Sequence, residues 1–366
     1  MNLSCGIVGL PNVGKSTLFN ALLSKQVADA SNYPFCTIEP NVGIVEVPDE
    51  RLAVLAEIVK TPKIVPAVVK FVDIAGLVAG ASKGEGLGNQ FLANIRETDL
   101  IIHLIRAFEN EDVVRAGAIN PKSDFETIKT ELILADLQTL EKIKNQKSKI
   151  KNTNQKSKID EEEQRFNAVN KLFAGLNSGT LASDVELTED EKESIKQLNL
   201  LTMKSTLIVL NVSENELGIL EKVEDDYIVG VSREDIVPIS ALVESELSIL
   251  SKEEGGEYLQ SLGLEKSGLE RLIQRAYQKL NLISFLTAGE KEVRAWTIVR
   301  GTKAPQAAGV IHTDFEKSFI KAQVANYEDF VQEGGWKGVK EKGLVRFEGK
   351  DYLLQEGDVV EFMVGV

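Results

Sequence analysis

Near the start of the chain, Gly9-Leu10-Pro11-Asn12-Val13-Gly14-Lys15-Ser16-Thr17 matches G-x-x-x-x-G-K-[ST]. Residues of these types at this spacing bind phosphate. Gly9 and Gly14 let the chain curl so that successive backbone N–H groups face phosphate oxygens, and a following helix adds the partial positive charge of its N-terminus. Lys15 is placed to reach the β- and γ-phosphates, and the Ser16 hydroxyl to ligate Mg2+. The nucleotide-binding candidates here are Asn12, Val13, Gly14, Lys15, Ser16 and Thr17. A chance match in a glycine-bearing loop is the competing explanation, and the flanks argue against it. Ser4-Cys5-Gly6-Ile7-Val8 is an apolar run suited to a buried strand, and Ser16 to Leu23 carries apolar residues at helical spacing.

Two more stretches extend this chemistry. Asn32-Tyr33-Pro34-Phe35-Cys36-Thr37-Ile38-Glu39-Pro40 reads as a loop, where Thr37 is the candidate to reach Mg2+ and the γ-phosphate. Ala67 to Gly76 reads as a strand ending in D-x-x-G. Asp73 would hold a Mg2+ water and the Gly76 N–H would bond the γ-phosphate, so the metal candidates are Ser16, Thr37 and Asp73. Leu77 stands where switch GTPases carry a water-orienting glutamine, and leucine cannot orient water. No catalytic residue is assigned. The glycine-rich run Ala79 to Asn89 suits a segment that reports the γ-phosphate.

Base recognition falls to Asn211-Val212-Ser213-Glu214, where a GTPase would show N-K-x-D, and to Ser240-Ala241 after the strand Ile236 to Ile239. In N-K-x-D the aspartate accepts two hydrogen bonds from guanine. Glu214 is one methylene longer and Val212 replaces the lysine, so the acceptor is displaced and the guanine preference weakens. Asn211 can bond adenine's exocyclic amine and ring nitrogen. ATP fits at least as well as GTP on these grounds, and the base-site candidates are Asn211, Val212, Glu214, Ser240 and Ala241.

The elements that must position these residues follow an α/β pattern. Apolar runs at Leu100 to Ile105 and Ser205 to Asn211 add strands, and Gly268 to Leu280 reads as a helix. His103, inside an apolar strand, reads as a packed core residue. The expected fold is a doubly wound, mostly parallel sheet interrupted by a helical insertion. That insertion has helical periodicity over Glu126 to Ile150, Asp160 to Leu176 and Glu189 to Leu201, consistent with two long antiparallel helices and a polar tip. From about Asn281 the texture changes to a small mixed β domain, with strands at Arg294 to Val299, Tyr352 to Leu354 and after Gly357, and a short helix over Phe315 to Gln323. The expected division is 1–127 with 202–280, 128–201, and 281–366.

A chain of 366 residues with net charge −14 does not bind nucleic acid nonspecifically as a whole. Its charge is uneven, with seven lysines and no acid from Lys142 to Lys158. No apolar run is long enough to span a bilayer. Nothing at the start reads as a signal peptide. Two cysteines and two histidines argue against a disulfide framework and a zinc site, and fit a reducing cytoplasm.

Taken together, these residues resemble the YchF family, Obg-related members of the P-loop GTPase class. The resemblance covers nearly the whole chain. Its most specific parts are the phosphate loop, Phe35 to Asn41, and Asp73 to Val78. It extends through Asn211 to Glu214, Lys291 to Ile298, Ala304 to Gly309 and Ile311 to Lys317. It implies an OBG-type domain that prefers ATP, a coiled-coil arm and a C-terminal TGS domain with a β-grasp fold. It also implies a cytoplasmic ATPase that binds ribosomes and is linked to translation and stress responses. Leu77 is the family's hydrophobic substitution for the catalytic glutamine. Asn12 matches an asparagine associated with potassium-stimulated hydrolysis, so K+ joins Mg2+ as an expected cofactor.

Where related members often carry a histidine after Phe-Glu-Asn, counting on from Phe108-Glu109-Asn110 reaches Arg115, a poor general base. The expected partners are ATP and the ribosome, at its large subunit or subunit interface. Ribosomal RNA would be met through Lys142, Lys144, Lys147, Lys149 and Lys151. A monomer with no membrane association is expected. A GTPase of the same fold, or a nucleotide-gated scaffold with negligible turnover, are the alternatives.

Overall fold

The structure, a computed structural model, describes residues 3–25, 41–74, 86–108, 120–147, 156–220 and 231–365. From the start the chain forms β1 (Ser4–Gly9), α1 (Lys15–Ser24), β2 (Val42–Glu46), α2 (Arg51–Val59), β3 (Ile64–Val65) and β4 (Val68–Asp73). Next come α3 (Gly86–Arg96), β5 (Leu100–Arg106), α4 (Pro121–Lys147), α5 (Lys156–Asn177) and α6 (Glu189–Ile195). The middle continues with β6 (Ser205–Asn211), α7 (Glu214–Leu220), β7 (Ile236–Ile239), α8 (Ala241–Leu247), α9 (Lys252–Ser261) and α10 (Gly268–Lys279). The last part holds β8 (Leu282–Ala288), β9 (Val293–Val299), α11 (Ala304–Ile311), α12 (Thr313–Lys317) and β10 (Phe319–Ala325). It ends with α13 (Tyr327–Gln332), α14 (Trp336–Glu341), β11 (Arg346–Glu348) and β12 (Val359–Val364).

The chain divides into two compact units. Ser4–Ala21 and Val72–Gly268 form one; Leu22–Phe71 and Leu269–Val366, with the first three residues, form the other. In the unit that holds the phosphate loop, β1, β5, β6 and β7 run parallel in that order. β1 and β5 are buried along their whole length, as expected of strands covered on both faces. On the other side of β1 the chain leaves β4, and the Ile74 N–H donates to Ile7 O at 3.2 Å. Phe91, Leu92 and Ile95 of α3 pack with Ile128 and Leu132 of α4 against Val8 and Ile101.

The helical segment has its own core, in which Ile133 and Leu140 of α4 meet Ala168, Val169, Leu172 and Leu176 of α5. α4 begins at Pro121, earlier than the periodicity predicts, because proline suits the first helical position. Asp136, fully buried on α4, accepts from the Leu201 N–H at 2.9 Å and from the Thr202 N–H and hydroxyl at 2.8 and 2.6 Å. These bonds fasten α4 to the chain just before β6. The predicted helix at Glu189 to Leu201 is shorter: α6 ends at Ile195 and gives way to single 3-10 turns.

The other unit carries a sheet in the order β11-β10-β12-β8-β9-β3, with β8 and β9 antiparallel and β3 parallel to β9. α2 packs on this sheet, and β2 lies beside β4. Arg51 of α2 bonds Glu356 at 2.6 Å, and Glu356 in turn accepts from the Ser284 N–H at 2.9 Å.

Two expectations here are corrected. The single helix over Phe315 to Gln323 is α12 followed by strand β10. Phe315 and Phe319 have helical spacing, but Ser318 ends the helix and Ala322, Val324 and Ala325 bury as sheet residues. Tyr352 to Leu354 is not a strand; Leu353 makes one isolated bridge, to Lys303.

Candidate functional site

β1 delivers the chain to Gly9 and α1 takes it up at Lys15. Between them, Asn12 (φ 63°) and Gly14 (φ 93°) adopt left-handed backbone conformations. Gly14 is required twice over. Its φ disfavours any side chain, and a Cβ would lie 2.3 Å from Asn211 Nδ2. Lys15, Ser16 and Thr17 make the first turn of α1, where backbone N–H groups have no partners within the helix. Ser16 and Thr17 are exposed there. The Lys15 ammonium donates to Asp73 Oδ1, so the residues predicted to meet phosphate and metal sit together.

The residues predicted to meet the base approach the same loop. Asn211, buried at the end of β6, donates from Nδ2 to Val13 O and accepts at Oδ1 from the Ala241 N–H, both at 2.9 Å. One amide therefore joins the phosphate loop, β6 and the start of α8. The second amide hydrogen and second lone pair are what remain for a base. Val212 is buried in the cluster formed by Ile208, Leu210 and Val243, and its N–H donates to Ile239 O at 2.9 Å. Ser240 caps α8 through a 3.5 Å bond from the Val243 N–H. Glu214 opens α7 and is exposed.

A cleft of about 830 Å³ runs through these residues. Asn12, Gly14, Lys15, Ser16, Thr17, Asn211, Val212, Glu214, Ser240 and Ala241 line it, while Val13 is buried behind it. Thr37, Gly76, Leu77 and Arg115 lie outside the described residues, as do Lys149 and Lys151. Leu10, Pro11, Phe108, Ser213 and Leu242 also line the cleft, and the sequence reading assigned them no role. Phe108 carried a faint signal, since ligands bind beyond the carboxyl ends of parallel strands and it lies two residues past β5. Arg106 supports it, its guanidinium 4.5 Å from the Phe108 ring centroid and its Nε 3.1 Å from Phe108 O.

Of the donors predicted for a metal, the described residues include the Ser16 hydroxyl and the Asp73 carboxylate. These are oxygen ligands of the kind Mg2+ takes. Among the described residues no cluster of three or more His, Cys, Asp or Glu could hold a metal by itself. His103 is buried in β5 and stacks on Phe125 at 5.8 Å; burial lowers its pKa to about 3. It does not line the cleft. Of the lysine patch, Lys142 is exposed on α4, whereas Lys144 lies 4.2 Å over the Phe173 ring. Lys147 is the last residue of α4.

Comparison with known proteins extends these findings. A family profile described as 50S ribosome-binding GTPase matches residues 4–171. A profile for the C-terminal part of YchF GTPases, described as a protein of unknown function, matches residues 282–365. The Haemophilus influenzae ribosome-binding ATPase YchF is 51% identical over 372 residues, covering 100% of both chains. The chain belongs to the YchF family. The Bacillus subtilis YchF, also a ribosome-binding ATPase by name, is 49% identical with the same coverage. The solved structure of the Schizosaccharomyces pombe YchF GTPase superposes with a TM-score of 0.87 at 36% identity, covering 99% of this chain and 98% of that one. The YchF likeness thus spans both compact units, with an α/β GTPase-like part and a separate β-rich C-terminal part. No described helix is long and apolar enough to cross a membrane.

Proposed function

We propose that this chain is a Mg2+-dependent ATPase that hydrolyses ATP to ADP and phosphate and acts as a ribosome-associated switch in translation or stress response. The observation that carries this reading is one cleft with Lys15 and Ser16 at a helix N-terminus and Asn211, Glu214 and Ala241 beside the same loop. The loop N–H groups and the Lys15 ammonium would hold the phosphates, with Lys15 exchanging its contact with Asp73 for phosphate oxygen. Ser16, Thr37 and Asp73 would hold Mg2+, which neutralises phosphate charge. The Gly76 N–H would bond the γ-phosphate, and the segment around Leu77 would report nucleotide state. K+ would assist at Asn12.

The functional division follows the sequence boundaries 1–127 with 202–280 for nucleotide binding, 128–201 for a coiled-coil arm, and 281–366 for a TGS domain of β-grasp type. Lys142 is the favoured contact for ribosomal RNA, because it is exposed while Lys144 packs on Phe173. The protein would act as a cytoplasmic monomer.

The Schizosaccharomyces pombe relative is called a GTPase, which keeps guanine as the second reading. Titrating the purified protein with fluorescent ATP and GTP analogues, with Mg2+ and K+ present, decides between them. Tighter ATP binding is expected. Tighter GTP binding would overturn the ATP assignment. Single-turnover hydrolysis with and without ribosomes then separates an enzyme from a nucleotide-gated scaffold.

A further inference from the structure

A nucleobase has two flat apolar faces as well as a polar edge, and the edge is what Asn211 and Glu214 are suited to meet. Small-molecule sites pair a few such polar groups with a larger apolar wall. Where N-K-x-D has a lysine, whose aliphatic stem can lie along an apolar surface, this chain has Val212. The Val212 side chain is not free to do the same. It is 2% exposed and packed among Ile208, Leu210 and Val243. Leu242 is free: it lines the cleft and is 63% exposed.

Two contacts place Leu242 beside the residues that would meet the base edge. It directly follows Ala241, whose N–H donates to Asn211 Oδ1 at 2.9 Å. Leu242 also shares a face of α8 with Glu246, four residues on. Glu246 accepts from the Tyr258 hydroxyl at 2.7 Å, and that hydroxyl lies 3.5 Å from Glu214 Oε1. The Leu242 face of α8 is therefore the face toward Glu214. A lone exposed leucine on an open helix surface is ordinary. This one is part of the wall of a cleft, with polar groups for a base edge nearby.

We propose that Leu242 is the apolar cover for the base of a bound purine nucleoside triphosphate. The proposal rests on the reading of the cleft as a nucleotide site. Binding would take the leucine side chain and one face of the base out of water together. An aliphatic surface makes no hydrogen bond, so this cover adds affinity without choosing between adenine and guanine. Choice is left to the polar groups at the edge.

The test is calorimetric titration of the full chain with ATP, GTP and inorganic tripolyphosphate, each with Mg2+. Tripolyphosphate offers the phosphate loop a ligand without a base. Leu242→Ala should weaken ATP and GTP by the same factor, roughly five- to tenfold, the size of covering part of one leucine. Tripolyphosphate binding should not change. Leu242→Met, of similar volume, should restore both nucleotides. Those results together support the proposal. If the wild type binds ATP more tightly than tripolyphosphate and Leu242→Ala keeps that whole advantage, the role of Leu242 is overturned and the nucleotide reading stands. If Leu242→Ala weakens tripolyphosphate as much as ATP, Leu242 acts on the loop and not on the base, and its role as a cover is overturned. If the wild type binds ATP no more tightly than tripolyphosphate, the base pocket and its cover both fall.

Discussion

Asn211 holds more of the cleft together than its place in a base-recognition pattern suggests. Its amide bonds Val13 O and the Ala241 N–H from a buried position, so one side chain ties two segments to β6. Asn211→Ala should cost about 2–3 kcal/mol of stability, read from urea unfolding, and weaken ATP and GTP binding together. Asn211→Asp should be no better, because a carboxylate oxygen would then face Val13 O. Lys15→Ala should leave unfolding nearly unchanged and reduce ATP turnover about 100-fold or more, as expected for loss of a charge aimed at the transferring phosphoryl group. Equal losses in folding from both substitutions would contradict this division of roles.

His103 and Asp136 show what two buried polar residues do for the elements that carry them. Below pH 6.5 the unfolded chain protonates the His103 imidazole, while the folded chain refuses that proton until about pH 3. Stability therefore falls as pH falls across that window, by about 1.4 kcal/mol per unit from this residue. Other groups titrate there too, so the measurement is the difference between the wild type and His103→Phe. The stability of the wild type relative to the variant should decline steadily from pH 6 to pH 4. A constant difference would mean that the imidazole charges freely in the fold. Asp136 is also buried, and burial raises its pKa, although the bonds from Thr202 and Leu201 oppose that rise. Asp136→Ala should cost about 3 kcal/mol by leaving the N–H groups of Leu201 and Thr202 without their acceptor. A change under 1 kcal/mol in thermal unfolding would show that α4 is held there by packing alone.

Viewed as a whole molecule, the parallel strands, the phosphate loop and the β-rich character of the last hundred residues were legible, with β9 and β12 where the sequence places strands, while the helix–strand boundary inside that part was not. β5 and β6 are apolar runs of the right length next to recognisable motifs, and local sequence is enough to place them. The break between α12 and β10 hides in an apolar pattern that suits either structure until Ser318 ends the helix. Glu214 was found because it belongs to a pattern, while Leu242 lines the same cleft and belongs to none. Charge is the property of the whole chain that bears on a partner. With a net charge of −14, the proposed contact with RNA would have to be local. Lys142→Glu should weaken co-sedimentation with ribosomes and leave ribosome-free ATP turnover unchanged. Lys144→Gln should have a smaller effect, because that ammonium already lies over Phe173. Equal effects from the two would mean that exposure does not govern the contact.

The unit built from Leu22–Phe71 and Leu269–Val366 has a consequence for how the protein is made. β3 takes its partner from β9, and α2 packs on strands that leave the translation machinery only near the end of synthesis. At the usual pace of elongation, the earlier segment waits on the order of ten seconds or more before its other half exists. During that interval Val65, Leu52 and Leu55 have no sheet to bury against. The nascent chain is then a candidate for chaperone capture, and a message truncated anywhere before β9 yields a product that cannot complete this unit.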